Sequence, residues 1–231
     1  MSRLTPFAPG LWLVDGGQVS TAGFHYPTRM AVIRREDGSL ALWSPVALDA
    51  DLKAEIDVLG EVTLILPPNA LHHLFLTDAV AAWPRARVFA PPGLRARRPD
   101  LAFDGDLDEA PDAPWSPDFE VVLVPGCAIV VEAVIFHRAS RTVLFVDLIQ
   151  QFDPGWFRGW RALVARLDLM TGDEPAVPRK FRLAFTDRRA ARPALARIAA
   201  WPAERVLMAH GRPVLADGQA FIRRAFAWLL G

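Results

Sequence analysis

Several side chains of types that bind divalent metals come directly after apolar runs in the sequence. They are His72, His73, Asp147 and His210. Folds that alternate strands and helices place functional sites where strands end, and a carboxylate ending an apolar run is costly to bury unless it is paired or bound to metal. Neutral imidazole and carboxylate oxygen are common ligands of zinc and iron. These four residues are therefore candidate ligands of one divalent metal, zinc or iron.

Two further residues near these positions are candidates whose role the sequence leaves open. Asn69, which follows two prolines, can orient a ligand or substrate through its amide, and it can equally shape the turn. Cys127 can serve as a soft extra ligand, although a free cysteine is more often simply buried. The adjacent pair His72 and His73 also has an interpretation without metal, in which one ring packs and the other caps backbone groups.

The two remaining histidines are weaker candidates. His137 has the strand parity of Ala133 and Ile135, and residues an odd number apart on a strand face opposite ways. It therefore cannot face the same cleft as Glu132 through regular β-structure, and we interpret it as a hydrogen-bonded histidine under the sheet. For His25 the sequence identifies no partner.

The candidate ligands need strands and helices that bring their loops together, and the hydrophobic pattern predicts such elements. Asp49 is expected to cap a helix that ends at Gly60, before a strand buried on both faces. Strands are predicted at 11–15, 28–34, 40–43, 62–66, 87–90, 120–124, 130–137, 141–147 and 206–208, and helices at 49–60, 76–83, 156–169, 192–201 and 219–230. Residues 93–115 are expected to form a surface excursion. This order predicts an α/β fold of two mixed sheets covered by helices, in a single domain over residues 1–231.

Composition narrows the class of partner and the compartment. The chain has 26 basic and 26 acidic residues, so we expect no net field that attracts nucleic acid or anionic lipid, and a small-molecule substrate or ligand as partner. Charged residues interrupt every apolar run before it reaches the length of a membrane span. The N-terminus has no apolar core of a signal peptide, and one cysteine allows no internal disulfide, so we expect a cytoplasmic protein. The oligomeric state stays open.

The order of the candidate residues resembles the metallo-β-lactamase superfamily, and the resemblance spans most of the chain. That family's motif His-x-His-x-Asp-His falls on residues 68–73, and its Pro-Gly-His falls on residues 125–127. Its strand-end aspartate falls on Asp147 and its late histidine on His210. The resemblance implies the family's αββα sandwich, in which helices cover two mixed sheets.

The same resemblance implies that one of the family's two metal positions is lost. Pro68 and Ala70 stand where the first two motif histidines belong, and Cys127 stands where the third ligand of that position belongs. The second position keeps its ligands, and so at most one metal is expected. The ligands that remain are His72, His73, Asp147 and His210.

Four short motifs resemble, more closely, an uncharacterised bacterial family of metallo-β-lactamase-like proteins whose function is unknown. The motifs are Leu42-Trp-Ser-Pro45, Pro68-Asn-x-x-His-His-x-Phe75, Glu132-x-x-x-Phe-His137 and Ser140-Arg-Thr-x-Leu-x-x-Asp147. This second resemblance implies a fold and a bacterial source, but no substrate.

These observations lead to one main hypothesis and two rivals. The main hypothesis is a hydrolase-like protein in which one zinc or iron ion activates water and polarises an ester, thioester, lactone or phosphate. The first rival is a non-catalytic protein that uses the His/Asp cluster as a structural network or small-ligand pocket. A redox or oxygen-sensing iron protein ranks last, because it would need two metals or a flavin partner and no flavin-binding feature is present. No convincing Ser-His-acid triad and no phosphate-binding loop can be assembled.

Overall fold

The computed structural model of the chain describes residues 3–231, in which eleven strands form two mixed sheets. The strands are β1 (Thr5–Ala8), β2 (Leu11–Thr21), β3 (Phe24–Arg34), β4 (Leu40–Trp43), β5 (Val62–Leu66), β6 (Arg87–Ala90), β7 (Gly105–Asp106), β8 (Phe119–Val124), β9 (Glu132–His137), β10 (Thr142–Phe145) and β11 (Arg205–Met208). The helices are α1 (Ala50–Leu59), α2 (Leu76–Ala82), α3 (Leu94–Arg97), α4 (Trp160–Leu167), α5 (Arg179–Ala184), α6 (Arg188–Ala200), α7 (Gly218–Ala225) and α8 (Ala227–Leu230).

The first sheet has seven strands in chain order, and the second has four in the order β11-β10-β9-β8. Strands β1 to β4 pair antiparallel and β4 to β7 pair parallel. In the second sheet β8, β9 and β10 pair antiparallel, whereas β10 and β11 pair parallel. Two mixed sheets were predicted, and the structure confirms them.

Three apolar clusters show how the sheets and helices are layered. One cluster lies between the sheets and joins residues such as Leu66 of β5 to Ile135 of β9. A second packs α1 and α2 on the outer face of the first sheet, and a third packs α5 to α8 on the outer face of the second. Every residue of β9 and β10 is buried because both of their faces are covered. The architecture is thus the expected αββα sandwich.

The first helix shows how local sequence sets the bounds of an element. The side chain of Asp49 accepts a hydrogen bond from the backbone N–H of Leu52, and α1 ends before Gly60, as predicted. The strands predicted at 62–66 and 87–90 have the observed bounds. Among the helices of residues 3–231, none combines the length and the apolar character needed to cross a bilayer.

Several predicted bounds were wrong. The helix predicted from residue 156 begins at Trp160, and the helix predicted from residue 192 begins at Arg188, so Pro193 lies in its second turn. The single helix predicted at 219–230 is divided into α7 and α8. Residues 93–115 are not only a surface excursion, since Leu107 and Trp115 are buried between the sheets.

Candidate metal centre

Three of the four predicted ligands meet where strands of both sheets end. His72 lies in the loop after β5 of the first sheet, while Asp147 and His210 each lie two residues beyond a strand of the second. The distance from Asp147 Oδ2 to His72 Nε2 is 3.6 Å, and that from Asp147 Oδ1 to His210 Nε2 is 3.4 Å. The candidate ligand atoms of these three residues all lie within 4.8 Å of one another. The carboxylate of Asp147 therefore faces both imidazole rings, one with each oxygen.

The carboxylate of Asp147 is stabilised in its charged form by what surrounds it. Burial alone would raise its pKa, but the His72 and His210 rings outweigh that effect and hold the pKa of Asp147 well below its ordinary value. Asn69 Nδ2 also donates a hydrogen bond of 2.7 Å to Oδ2. The buried site thus contains an aspartate that stays ionised.

The outer nitrogens of both rings are held, which fixes the direction of the inner ones. His210 Nδ1 lies 2.7 Å from the carbonyl oxygen of Pro27. Because a carbonyl only accepts, Nδ1 carries a proton, and the ring presents its Nε2 atom to Asp147. His72 is also held through its outer nitrogen, with Nδ1 2.9 Å from Ser44 Oγ. Both Nε2 atoms are thus directed toward the carboxylate of Asp147, where a proton on the rings or a bound metal ion would satisfy the arrangement.

The spacing of these atoms fits a metal ion. Zinc bonds to nitrogen and oxygen of about 2.0–2.2 Å place neighbouring ligands of a tetrahedral site about 3.3–3.6 Å apart. The separations of 3.4 Å from Oδ1 to His210 Nε2 and 3.6 Å from Oδ2 to His72 Nε2 fall in this interval. They exceed the ordinary N–H···O length of about 2.7–3.2 Å, and the ligand atoms of the three residues all lie within 4.8 Å of one another. The donor set of two imidazoles and one carboxylate, with both rings held from behind, therefore suits one divalent ion.

Asn69 makes contacts of both kinds that the sequence left open. It is fully buried, and its Oδ1 accepts hydrogen bonds from the backbone N–H groups of Leu71 and His72 at 2.8 and 3.1 Å. The other end of the same amide donates to Asp147. Asn69 therefore shapes the turn that carries one candidate ligand and also positions another.

Glu132 supports the site although it was not predicted as a site residue. Its fully buried carboxylate accepts backbone hydrogen bonds from Val146, Asp147 and Leu148 at 2.8 to 3.0 Å. Burial, with the charge of Asp147, raises the pKa of Glu132 to about 7, against the opposing effect of the three N–H groups. The signal that could have revealed it is an acidic residue inside the apolar run at 130–136.

His73 and Cys127 lie outside the group of three. His73 Nε2 accepts a hydrogen bond of 2.9 Å from Arg97 Nε, and burial together with Arg97 and Arg98 lowers the pKa of this histidine. Cys127 is buried in the apolar cluster outside the second sheet and pairs through its backbone with Phe185. Neither side chain belongs to the group of ligand atoms formed by His72, Asp147 and His210.

The other two histidines are separate from the site. His137 is buried, its Nδ1 lies 2.7 Å from Ser140 Oγ, and burial lowers its pKa to about 4. This confirms the interpretation of His137 as a hydrogen-bonded histidine under the sheet. His25 is exposed on β3, and its carbonyl accepts a hydrogen bond from Trp156 Nε1.

A cavity of about 530 Å³ opens over the three candidate ligands, and its walls are largely apolar. The β2–β3 hairpin, the loop before α2, and helices α4 and α5 supply these walls. Two cationic side chains, Arg97 and Lys180, also line it. Gln150 lines it too, and its buried Oε1 has no hydrogen-bond partner within residues 3–231. The cavity therefore offers apolar walls and a few polar groups beside the His/Asp cluster.

The chain is similar in fold to solved metallo-β-lactamase structures. Against a metallo-beta-lactamase from Pontibacter korlensis the TM-score is 0.64 at 13% identity, covering 98% of this chain and 97% of the other. Against a metallo-beta-lactamase from Hirschia baltica the TM-score is 0.64 at 13% identity, covering 98% and 96%. Against the metal-soaked Flv1 flavodiiron core from Synechocystis sp. PCC6803 the TM-score is 0.64 at 13% identity, covering 98% of this chain and 60% of the other. At these identities the similarity shows the fold alone.

Sequence comparison identifies a family without an assigned activity. No curated protein matches the chain. The family model described as a domain of unknown function, DUF4336, matches residues 11–156, which is more than half of the chain. The protein has the metallo-β-lactamase fold and belongs to the DUF4336 family.

Proposed function

We propose that this protein is a metal-dependent hydrolase-like protein that binds a single divalent ion, zinc or iron, through His72, Asp147 and His210. The observation that carries the proposal is the convergence of two imidazole Nε2 atoms on one buried carboxylate, with both rings held through Nδ1. Three protein ligands are the number found in catalytic zinc sites, which keep another position for water or substrate.

The surroundings of Asp147 support a single ion rather than two. Pro68 and Ala70 have no side-chain atom that can ligate. Cys127, at the position of the third ligand of the lost site, does not belong to the group of ligand atoms formed by His72, Asp147 and His210. Three of the four residues of the second position, His72, Asp147 and His210, are the ones that the fold brings together.

The chain's own residues would prepare the site for hydrolysis. A bound ion would supply a Lewis acid and lower the pKa of water. The carbonyl of Pro27 and the hydroxyl of Ser44 keep the Nε2 atoms of His210 and His72 directed inward. Asn69 keeps the carboxylate of Asp147 in place through one hydrogen bond. The apolar walls of the cavity and the burial of Asp147 and His210 lower the local dielectric constant, which strengthens electrostatic interactions at the site.

The cavity favours an ester, thioester or lactone with a large apolar part. Its apolar lining includes Phe24, Leu71 and Phe181. The Lys180 ammonium donates to Tyr26 Oη at 3.0 Å and lies 3.6 Å from Asp168, so it is held at the cavity wall as a cation for a polar or anionic substrate group. The unpartnered Oε1 of Gln150 is available to accept a hydrogen bond from a substrate.

The decisive experiment measures metal per chain in protein purified without chelator and after reconstitution with zinc or iron. We expect about one equivalent in the parent and its loss in Asp147→Ala and His210→Ala. His25→Ala is the matched control, because that histidine is exposed and outside the cavity. His73→Ala distinguishes a three-residue site from a four-residue site. The variant keeps the metal if three residues bind the ion, and it binds metal more weakly if His73 is a fourth ligand.

A parent that binds no metal even after reconstitution would overturn the proposal. It would instead favour the non-catalytic alternative, in which the cluster is a structural network. The hydrogen bond from Asn69 to Asp147 and the pKa of Asp147, lowered by both rings, are the observations that favour this second candidate. If metal is bound, hydrolysis of apolar esters, thioesters and lactones is the activity to measure, with Asp147→Ala as the inactive reference.

A further inference from the structure

Most of the large apolar side chains that this fold leaves exposed line the cavity or lie on helix α4, which forms part of its wall. Within residues 3–231 there are nine such side chains. Leu74, Ile129 and Val164 are exposed and also line the cavity. Trp160, Leu163 and Leu167 share helix α4 with Val164, and these six residues together are called the rim. The remaining three are Val58, Leu183 and Leu215. Exposed apolar surface concentrated in this way marks an interaction site.

Helix α4 presents its apolar residues to the outside rather than to the core. Trp160, Leu163, Val164 and Leu167 follow the spacing i, i+3, i+4 and i+7, which places them on one face. Their exposed fractions are 58%, 60%, 41% and 56%, whereas Ala165 is the residue of this helix that is fully buried. A surface helix of a water-soluble protein normally shows the reverse pattern. The exposed face is therefore fitted to an apolar partner.

The exposed face of α4 is held firmly in place. Arg161 Nε donates a hydrogen bond of 2.7 Å to the carbonyl of Gly23 at the tip of the β2–β3 hairpin. The ring of Phe24, on the same hairpin, packs perpendicular to that of Trp160 with centroids 5.7 Å apart. The apolar face is thus an organised part of the cavity wall, and its exposure does not come from loose packing.

The charges around this helix favour an anionic partner. Residues 154–184 contain six basic and three acidic side chains, in a chain whose formal charge is zero. Arg158, Arg166 and Arg179 of this segment are exposed. In a symmetric dimer through α4 the arginines of the two copies would approach one another, which disfavours a second copy as the partner. Anionic lipid headgroups meet the charge, and acyl chains meet the apolar face.

We propose that the rim docks on the surface of an anionic lipid bilayer, with the apolar face of α4 in the interface. The cavity mouth then faces the lipid, because Leu74, Ile129 and Val164 belong to both the rim and the cavity. A lipid-soluble ester or thioester would enter the cavity directly from the bilayer; this entry route rests on the proposed function. The formal charge of zero for the whole chain predicted no attraction to anionic lipid. The charge is unevenly distributed, however, and residues 154–184 carry a local excess of basic side chains.

Sedimentation of the full chain with vesicles tests the docking. We expect binding to vesicles of mixed phosphatidylcholine and phosphatidylglycerol, and weaker binding as salt is raised, because screening shortens the range of the arginine charges. Leu163→Asp is expected to reduce partitioning about tenfold or more, since it replaces a buried apolar contact with a charge. Val58→Asp is the matched control, because Val58 is also exposed but lies on α1, in the outer layer of the first sheet.

Two results would overturn the docking proposal. One is the absence of sedimentation with the anionic vesicles. The other is a dimer in analytical ultracentrifugation that Leu163→Asp dissociates, which would assign the rim to a second copy. Asp147→Asn separates this proposal from the metal hypothesis, because vesicle binding is expected to persist in that variant. A parent that binds metal but no vesicles would refute the docking alone.

Discussion

Asn69 uses both ends of its side-chain amide inside the buried site. Its oxygen accepts from the backbone N–H groups of Leu71 and His72, and its nitrogen donates to Asp147. One residue thereby connects the loop after β5 to the carboxylate after β10. Any contribution that it makes to metal binding would therefore be linked to its contribution to stability.

Replacing Asn69 is expected to weaken both. Asn69→Ala leaves two backbone donors and a carboxylate oxygen without their partner, at a cost of about 2–4 kcal/mol in the free energy of unfolding. Loss of a group that orients a ligand is expected to lower metal affinity about 10- to 100-fold. A chelator competition titration and urea unfolding measure the two effects. The control is Gln151→Ala, whose amide donates to the backbone carbonyls of Gly172 and Asp173. An unchanged metal affinity in Asn69→Ala would refute the positioning role.

His137 makes stability depend on pH in a direction that its pKa determines. Burial lowers the pKa of His137 to about 4, below the ordinary 6.5 of an unfolded chain. Between these values the unfolded state binds a proton that the folded state does not, so the free energy of unfolding falls as pH falls. The stabilisation is complete above pH about 6.5 and lost at about 4.

The expected loss between pH 7 and 5 that comes from His137 is about 2 kcal/mol. Urea unfolding of the parent and of His137→Asn at both pH values isolates it, because the other titrating groups are common to the two proteins. The variant should have the shallower pH dependence. Equal slopes in parent and variant would show that His137 is not kept neutral by burial.

For single residues, the sequence predicted which positions lie near the site better than it predicted where each side chain points. Asp147 and His210 were predicted from the ends of apolar runs, and the structure brings them together with His72. Adjacent residues of a loop, such as His72 and His73, differ in direction because of the turn, and sequence spacing does not contain the turn geometry. Glu132 was missed as a support of the site because its partners are backbone groups of another strand end.

At the scale of elements, Gly126 fixes how the loop after β8 meets helix α6. Gly126 has φ +84°, and a Cβ at this position would lie 2.1 Å from the carbonyl oxygen of Asp187. Asp187 is the residue that caps α6, through a hydrogen bond from the backbone of Ala190. Only glycine allows this approach of loop and helix.

Gly126→Ala is therefore expected to destabilise the fold more than the same change at a matched glycine. Gly38 has φ +83° and no atom near the position of its missing Cβ. Gly38→Ala costs only the left-handed backbone, about 1 kcal/mol, while Gly126→Ala adds a steric clash of about 1–3 kcal/mol more. Urea unfolding of both variants measures the difference. Equal destabilisation would mean that the loop moves away from α6 without cost.

The bounds of helices and strands were predicted well where neighbouring residues in the sequence determine them. They were predicted poorly where contacts with distant parts of the chain determine them. Strands β5 and β6 are short apolar runs between turn residues, and their bounds were predicted exactly as observed. Strand β2 was predicted to end at residue 15 but continues to Thr21, because pairing with β3 extends it through polar residues. Helix α4 begins later than predicted, since Phe157 packs in the cluster under the hairpin instead.

For the whole molecule, two sheets covered by helices could be predicted from the apolar runs. A continuous apolar run indicates a strand buried on both faces, and an alternating run indicates a strand buried on one face. The structure confirms this αββα arrangement, with one apolar cluster between the sheets and one on each outer face. Whole-chain averages predicted less. The formal charge of zero conceals the basic segment at 154–184, and a single hydropathy value conceals the exposed apolar face of α4.

The candidate ligands come from both sheets, and this has a consequence for the lifetime of the protein. His72 belongs to a loop of the seven-stranded sheet, while Asp147 and His210 belong to the four-stranded one. An ion held by all three would link the two sheets at the edge of the sandwich. The sheets could then separate there only after the ion was released. Metal supply would then set how long each molecule survives proteases, so that starvation for the ion removes the protein as well as its activity.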